Sequence, residues 1–149
     1  MNVKFAHVNI VARDWRKLAD FYIDVFGCRE KPPERDLKGR WLDDAVSLKG
    51  AHITGIHLYL PGFSADGPTL EIFRYDDYEK QDVKAANHEG FGHIAFAVDD
   101  VDACVRNILD HGGGMAGTMV KTNITGVGSI HFAYARDPEG NIIEIQKWG

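Results

Sequence analysis

The chain has 149 residues, a formal net charge of −5, two cysteines, 44% hydrophobic and 26% charged residues. That length suits one compact unit, or two small halves packed together, with enough core to fold without staples. The acidic balance and the lack of a basic stripe argue against nucleic acid and anionic membranes as partners, and no apolar stretch approaches a membrane span.

The first residues, MNVKFAHV, hold no long apolar run, so no secretory leader is expected. Cys28 and Cys104 have no CxxC or zinc-finger spacing, which predicts reduced, core-type thiols in a cytoplasmic protein. Residues 5–11, FAHVNIV, alternate with period two. Phe5, His7, Asn9 and Val11 share a mixed face, and Ala6, Val8 and Ile10 an apolar one, as in a half-buried strand. Asp14 is placed to cap a helix whose apolar stripe is Trp15, Leu18, Ala19 and Tyr22, and Gly27 is placed to stop it.

HITGIHLYL (52–60) reads as a strand, PGFSADGP as a turn-rich loop, and TLEIFRY (69–75) as a closing strand that carries Glu71. Residues 76–90 are charged and lack alternation, so they read as a linker with room for a short helix. FGHIAFAV (91–98) then repeats the first strand. Asp100 caps a second helix with the stripe Val101, Cys104, Val105 and Ile108, and Gly112 stops it. GVGS (126–129) lacks the lysine and following helix of a phosphate loop and is expected to be a flexible loop. SIHFAYAR (129–136), the turn DPEG and NIIEIQKW (141–148), with Glu144, complete the chain.

The two halves align with a shift of 86 positions. Phe5 falls on Phe91, His7 on His93, Asp14 on Asp100 and Leu18 on Cys104. Each half reads as β-α-β-β-β, which predicts an α+β domain of two modules, about 1–75 and 91–149, joined by the linker 76–90.

This repeat gives the histidines a purpose. His7 and Glu71 come from the first and last strands of one half, His93 and Glu144 from those of the other. If the halves pack with pseudo-twofold symmetry, two imidazoles and two carboxylates converge as ligands for one divalent metal. Zn²⁺ or Ni²⁺ is favoured, and Fe²⁺ or Mn²⁺ also suits these donors. A glutamate flanked by TL and IF, or by II and IQ, is poorly placed for solvation, and a cation offsets the cost of burying its charge. Taken singly, each of the four has a bland explanation as a surface or edge residue. Their coincidence at matching repeat positions favours the metal site. His111 suits a helix end, and His88 a solvated linker. His52, His57, His131, Tyr59 and Tyr134 lie in or near strands, where packing or surface roles are the default.

HVNIVARDWRKLADFYIDVFG, GFGHIAFAVDDVDACVRNILDHGG and DPEGNIIEI together resemble the vicinal oxygen chelate superfamily, and the last two look especially like glyoxalase I. The group includes glyoxalase I, methylmalonyl-CoA epimerase, extradiol dioxygenases and the fosfomycin and bleomycin resistance proteins. The resemblance implies paired βαβββ modules forming a cupped sheet around one metal, with His7, Glu71, His93 and Glu144 as ligands. It further implies a glyoxalase-I-type lyase or isomerase that stabilises an enediolate of a small chelated substrate. In that chemistry one carboxylate, Glu144 in preference to Glu71, detaches and carries a proton between adjacent carbons.

The other branches imply an acyl-CoA epimerase, an Fe(II) dioxygenase, or a non-catalytic drug- or metabolite-binding cup. A dioxygenase needs only two histidines and one glutamate, so the fourth candidate, Glu71, argues against it, although His57 or His131 are on offer as its acid–base histidines. A binding cup would draw on Trp15, Trp41, Phe73 and Trp148. Glyoxalase I enzymes usually carry an arginine where this chain has Val11, and some carry one where it has Glu89, which argues against glutathione. The edge strands of such halves favour a homodimer.

Overall fold

The computed structural model describes all 149 residues, Met1–Gly149. Two compact units divide the chain, Met1–Lys80 and Gln81–Gly149.

The first unit runs β1 (His7–Val11), α1 (Trp15–Phe26), β2 (Arg29–Lys38), α2 (Arg40–Val46), β3 (His52–Tyr59) and β4 (Thr69–Tyr75). Its sheet has the order β1-β4-β3-β2; β1 and β4 are parallel and the other pairs antiparallel. Asp14 accepts the Lys17 N–H at 3.2 Å to open α1, and such a cap is worth about 1 kcal/mol. Gly27 closes the helix in the left-handed conformation at φ 70°, which a side chain would disfavour. Alternation sorts the sheet into two faces. Ile56, Leu58, Leu70 and Ile72 are buried on one, where α1 brings Leu18 and Tyr22. Each fully buried aliphatic side chain contributes on the order of 1.5–3 kcal/mol. Arg16 of α1 grips Glu34 of β2 with two 2.7 Å bonds, which marks this as the helix-side face.

The opposite face is covered at one end by α2. Leu42 and Val46 of α2 pack there with Leu37, Ala51, Ile53, Phe73 and Tyr75. β2 and α2 had no sequence signal. REKPPERDLK is charged and proline-rich, as suits an edge strand, and α2 has only seven residues.

The second unit runs β5 (Ile94–Ala97), α3 (Val101–Asp110), β6 (Gly114–Met115), β7 (Val120–Ile124), β8 (Gly128–Arg136) and β9 (Ile142–Trp148). Its sheet has the order β5-β9-β8-β6, with β7 also paired to β8. Asp100 accepts the Ala103 N–H at 2.9 Å to open α3, which packs on β8 and β9. The DPEG turn is held by buried Asp137, which accepts from the N–H groups of Glu139 and Asn141 at 2.9 and 3.0 Å.

The α+β reading holds, and three details change. No helix forms between residues 76 and 90; residues 85–88 make a turn in which Ala85 N–H meets His88 Nδ1 at 3.2 Å. His93 immediately precedes β5 rather than lying within it. Within GVGS, Gly126 and Val127 belong to the tight connection of the β7–β8 hairpin and Gly128 and Ser129 already pair in β8, because VKTNI pairs with β8 although every residue of it is exposed.

Candidate metal and substrate site

In the first unit, parallel pairing of β1 with β4 and antiparallel pairing of β3 with β4 line up Asn9, Glu71 and His57 in one cross-strand row. Neighbours in such a row present their side chains to the same face. His7 lies two residues before Asn9, so it projects from that face too. His7 Nε2 lies 3.3 Å from Glu71 Oε2, and Asn9 Nδ2 donates to the same oxygen at 3.3 Å. His57 Nε2 lies 2.9 Å from Glu71 Oε1, and its Nδ1 lies 3.1 Å from the Thr69 hydroxyl. A carboxylate only accepts, so Nε2 carries the proton and Nδ1 accepts from Thr69. Burial pushes the His57 pKa down; Glu71 opposes this, and Arg35, His7 and Lys31 add to it. His57 is therefore a neutral ring that fixes the glutamate.

In the second unit, His93 Nε2 lies 3.0 Å from Glu144 Oε2. Tyr134 stands opposite Glu144 in the β8–β9 register, with its ring 5.1 Å from that of His93. Burial, and then the Glu144 charge, raise the Tyr134 pKa. His131 is on the other face, its Nε2 3.9 Å from Asp102 of α3. His52 lies between Asp76 and Asp36, at 2.7 and 2.8 Å, on the helix side of the first sheet.

The four expected ligands thus occur as one His–Glu pair in each unit. Glu71 and Glu144 are only 12% and 15% exposed, and the positively chargeable groups that touch them are histidines. Half-buried carboxylates with imidazole nitrogens at hand fit a divalent cation. No group of three or more His, Cys, Asp or Glu gathers in the form needed to hold an ion. Phe73 is buried beneath α2, whereas Trp41 and Trp148 are exposed in different units.

The repeat did not single out His57 and Tyr134. Each occupies the strand beside the glutamate in its own unit, at the position that faces it. Only the register reveals this. The shared position of His57 and Tyr134 fourteen and ten residues before their glutamates is too loose a spacing to read without it.

The sequence profile of the Glyoxalase/Bleomycin resistance protein/Dioxygenase superfamily matches residues 4–145. The chain belongs to that superfamily. Among curated relatives of this glyoxalase-superfamily chain is "Uncharacterized protein YaeR" of Escherichia coli (strain K12), 24% identical over 143 residues, with 93% of this chain and 92% of the relative covered. A glyoxalase family protein from Bacillus cereus superposes with a TM-score of 0.76 at 18% identity, covering 99% of this chain and 94% of its own. A glyoxalase I variant from Zea mays superposes with a TM-score of 0.65 at 26% identity, covering 96% of this chain but 44% of its own. No helix of the superfamily member is long and apolar enough to cross a membrane.

Proposed function

We propose that His7, Glu71, His93 and Glu144 hold one divalent cation, Zn²⁺ or Ni²⁺ by preference, and that the protein is a glyoxalase-I-type lyase or isomerase. The two units are then the modules of one domain, and the four ligands meet within a chain or across a homodimer in the cytoplasm. When bound, the cation supplies Lewis-acid stabilisation to negative charge on two neighbouring substrate oxygens. The rest falls to the side chains. Glu71 stays fixed, held by His7, Asn9 and His57. Glu144 has one ring nitrogen against it, that of His93. Its carboxylate is free to take a proton from one carbon and return it to the next. This unequal anchoring carries the assignment. Similarity to a maize glyoxalase I supports the reaction class.

A second reading rests on His57. An imidazole beside a ligand glutamate, outside the ligand set, offers the acid–base histidine that the dioxygenase branch requires.

The test is metal analysis of untagged protein, followed by a substrate panel after reconstitution with Zn, Ni, Fe(II) or Mn. The panel contains the methylglyoxal–glutathione adduct, methylmalonyl-CoA and catechols. Structural affinity for the ion predicts close to one equivalent, whereas less than about a tenth after soaking rejects the centre. Turnover of catechols alone, with Fe(II), selects the second reading.

A further inference from the structure

The open face of the first sheet ends in a column of cations. The Glu71 row continues from His57 to Lys31 on β2. The adjoining rows end in Arg29, opposite Tyr59, and Arg35, opposite Gly55. Tyr59, His57 and Gly55 are alternate residues of β3, so the three cations project to the face that bears His7 and Glu71. Lys31 Nζ and the Arg29 guanidinium lie 5.4 and 5.7 Å from the Tyr59 ring centroid, which holds both over the face. The acids of β2 take the other side: Glu34 bonds Arg16 of α1, and Asp36 bonds His52. No carboxylate pairs with Arg29, Lys31 or Arg35.

Edge strands often carry charge to block aggregation, but that purpose does not require sorting by sign between the faces. Three unpaired like charges along one strand repel one another, and a bound oxyanion relieves the repulsion. Arginine beside lysine suits a carboxylate or phosphate, which the guanidinium fork meets with two bonds. β2 lies two strand spacings from Glu71, or ~10 Å. The α2 end of the face is closed by Leu42 and Phe73, so an extended ligand would lie toward Arg29 and Tyr59.

We propose that Arg29 and Lys31, with Arg35 adding positive charge from the flank, recognise an oxyanion, carboxylate or phosphate, at the end of the substrate remote from its chelated oxygens. This rests on the metal centre proposed above. The substrate class becomes a vicinal dioxygen compound with an anionic tail long enough to reach β2.

Suberic monohydroxamate and its methyl ester provide the test, since both chelate through the same two hydroxamate oxygens and only one has an anionic tail. Each is titrated calorimetrically into Zn-loaded protein at low and high salt, with metal content measured in parallel. Charge-assisted bonds to the tail predict at least about tenfold tighter binding of the acid, with the margin shrinking as salt rises. Arg29→Gln/Lys31→Gln is expected to bind the two probes alike, and Lys31→Arg to keep the preference. Equal affinities in the wild-type protein, or a preference that survives the double substitution, overturn the inference while leaving the metal centre standing. Failure to load metal, with neither probe bound, rejects the centre and the inference with it.

Discussion

His57 Nε2 lies 2.9 Å from Glu71 Oε1, opposite it in the β3–β4 register, while Thr69 holds the other ring nitrogen. A ligand carboxylate oriented this way needs little reorganisation to bind a cation, and removal of such partners typically costs about 10–100-fold in metal affinity. His57→Phe is expected to lose that much in chelator competition. His57→Gln, which restores a donor, should recover part of it. Unchanged affinity in His57→Phe would show that Glu71 needs no such support.

The two glutamates should differ on substitution. Glu144→Gln is expected to retain metal and lose about 10²–10⁴-fold in kcat. Glu71→Gln should lose metal and activity together. The check is metal content beside steady-state kinetics on whichever adduct turns over. Wild-type kcat in Glu144→Gln would remove it as the proton carrier.

His52 gives the first unit a pH-dependent tie. Hydrogen bonds that His52 donates to Asp36 and Asp76 raise its pKa, and the bond from His52 lowers that of Asp36. A histidine pKa raised on folding adds stability below the unfolded value, and this is lost as pH climbs through the folded one. The lowered Asp36 pKa adds stability above the ordinary aspartate range, lost as pH falls through the folded value. Thermal melts of wild type and His52→Gln from pH 5 to 9 should therefore be furthest apart in mild acid and converge toward the alkaline end. A gap that widens above neutrality would contradict the sign.

Cys28 is buried, and burial pushes its thiol up to about 11. Native protein at pH 8 is expected to leave it unmodified by a thiol reagent, and denaturant to expose it. Rapid native labelling mapped to Cys28 by mass spectrometry would show that the first unit opens readily.

Gly55 allows β3 and β4 to approach closely beside the site. An added Cβ would lie 2.2 Å from the Ile72 carbonyl oxygen and 2.6 Å from Phe73 Cδ1. Backbone must move to admit it, so Gly55→Ala is expected to cost at least about 2 kcal/mol, read as a lower urea midpoint with the slope unchanged.

The strands flanking the site were legible because apolar residues alternate along them, and the helices because Asp14, Asp100 and Gly27 punctuate a stripe of helical period. The duplicated His and Glu positions were legible for the same reason, since an internal repeat compares the chain with itself. β2 and β7 carry little or no buried apolar pattern, their pairing being supplied by β3 and β8. His57 carried no mark of its own. A single histidine in an alternating strand gains its meaning from the residue across the ladder, and that partner is set by register.

The bulge in β2 has a consequence for how this face can change. Between Lys31 and Arg35 the strand advances four residues while β3 advances two. The surplus is even, so parity survives it and Arg29, Lys31 and Arg35 all look the same way. Loss of a single residue there, with Arg35 kept opposite Gly55, would set Glu30 where Lys31 now stands and Cys28 where Arg29 stands, replacing two positive side chains with one negative and one neutral without a single substitution. Insertions and deletions in this short stretch are thus a ready route by which related chains could trade one class of ligand for its opposite in charge.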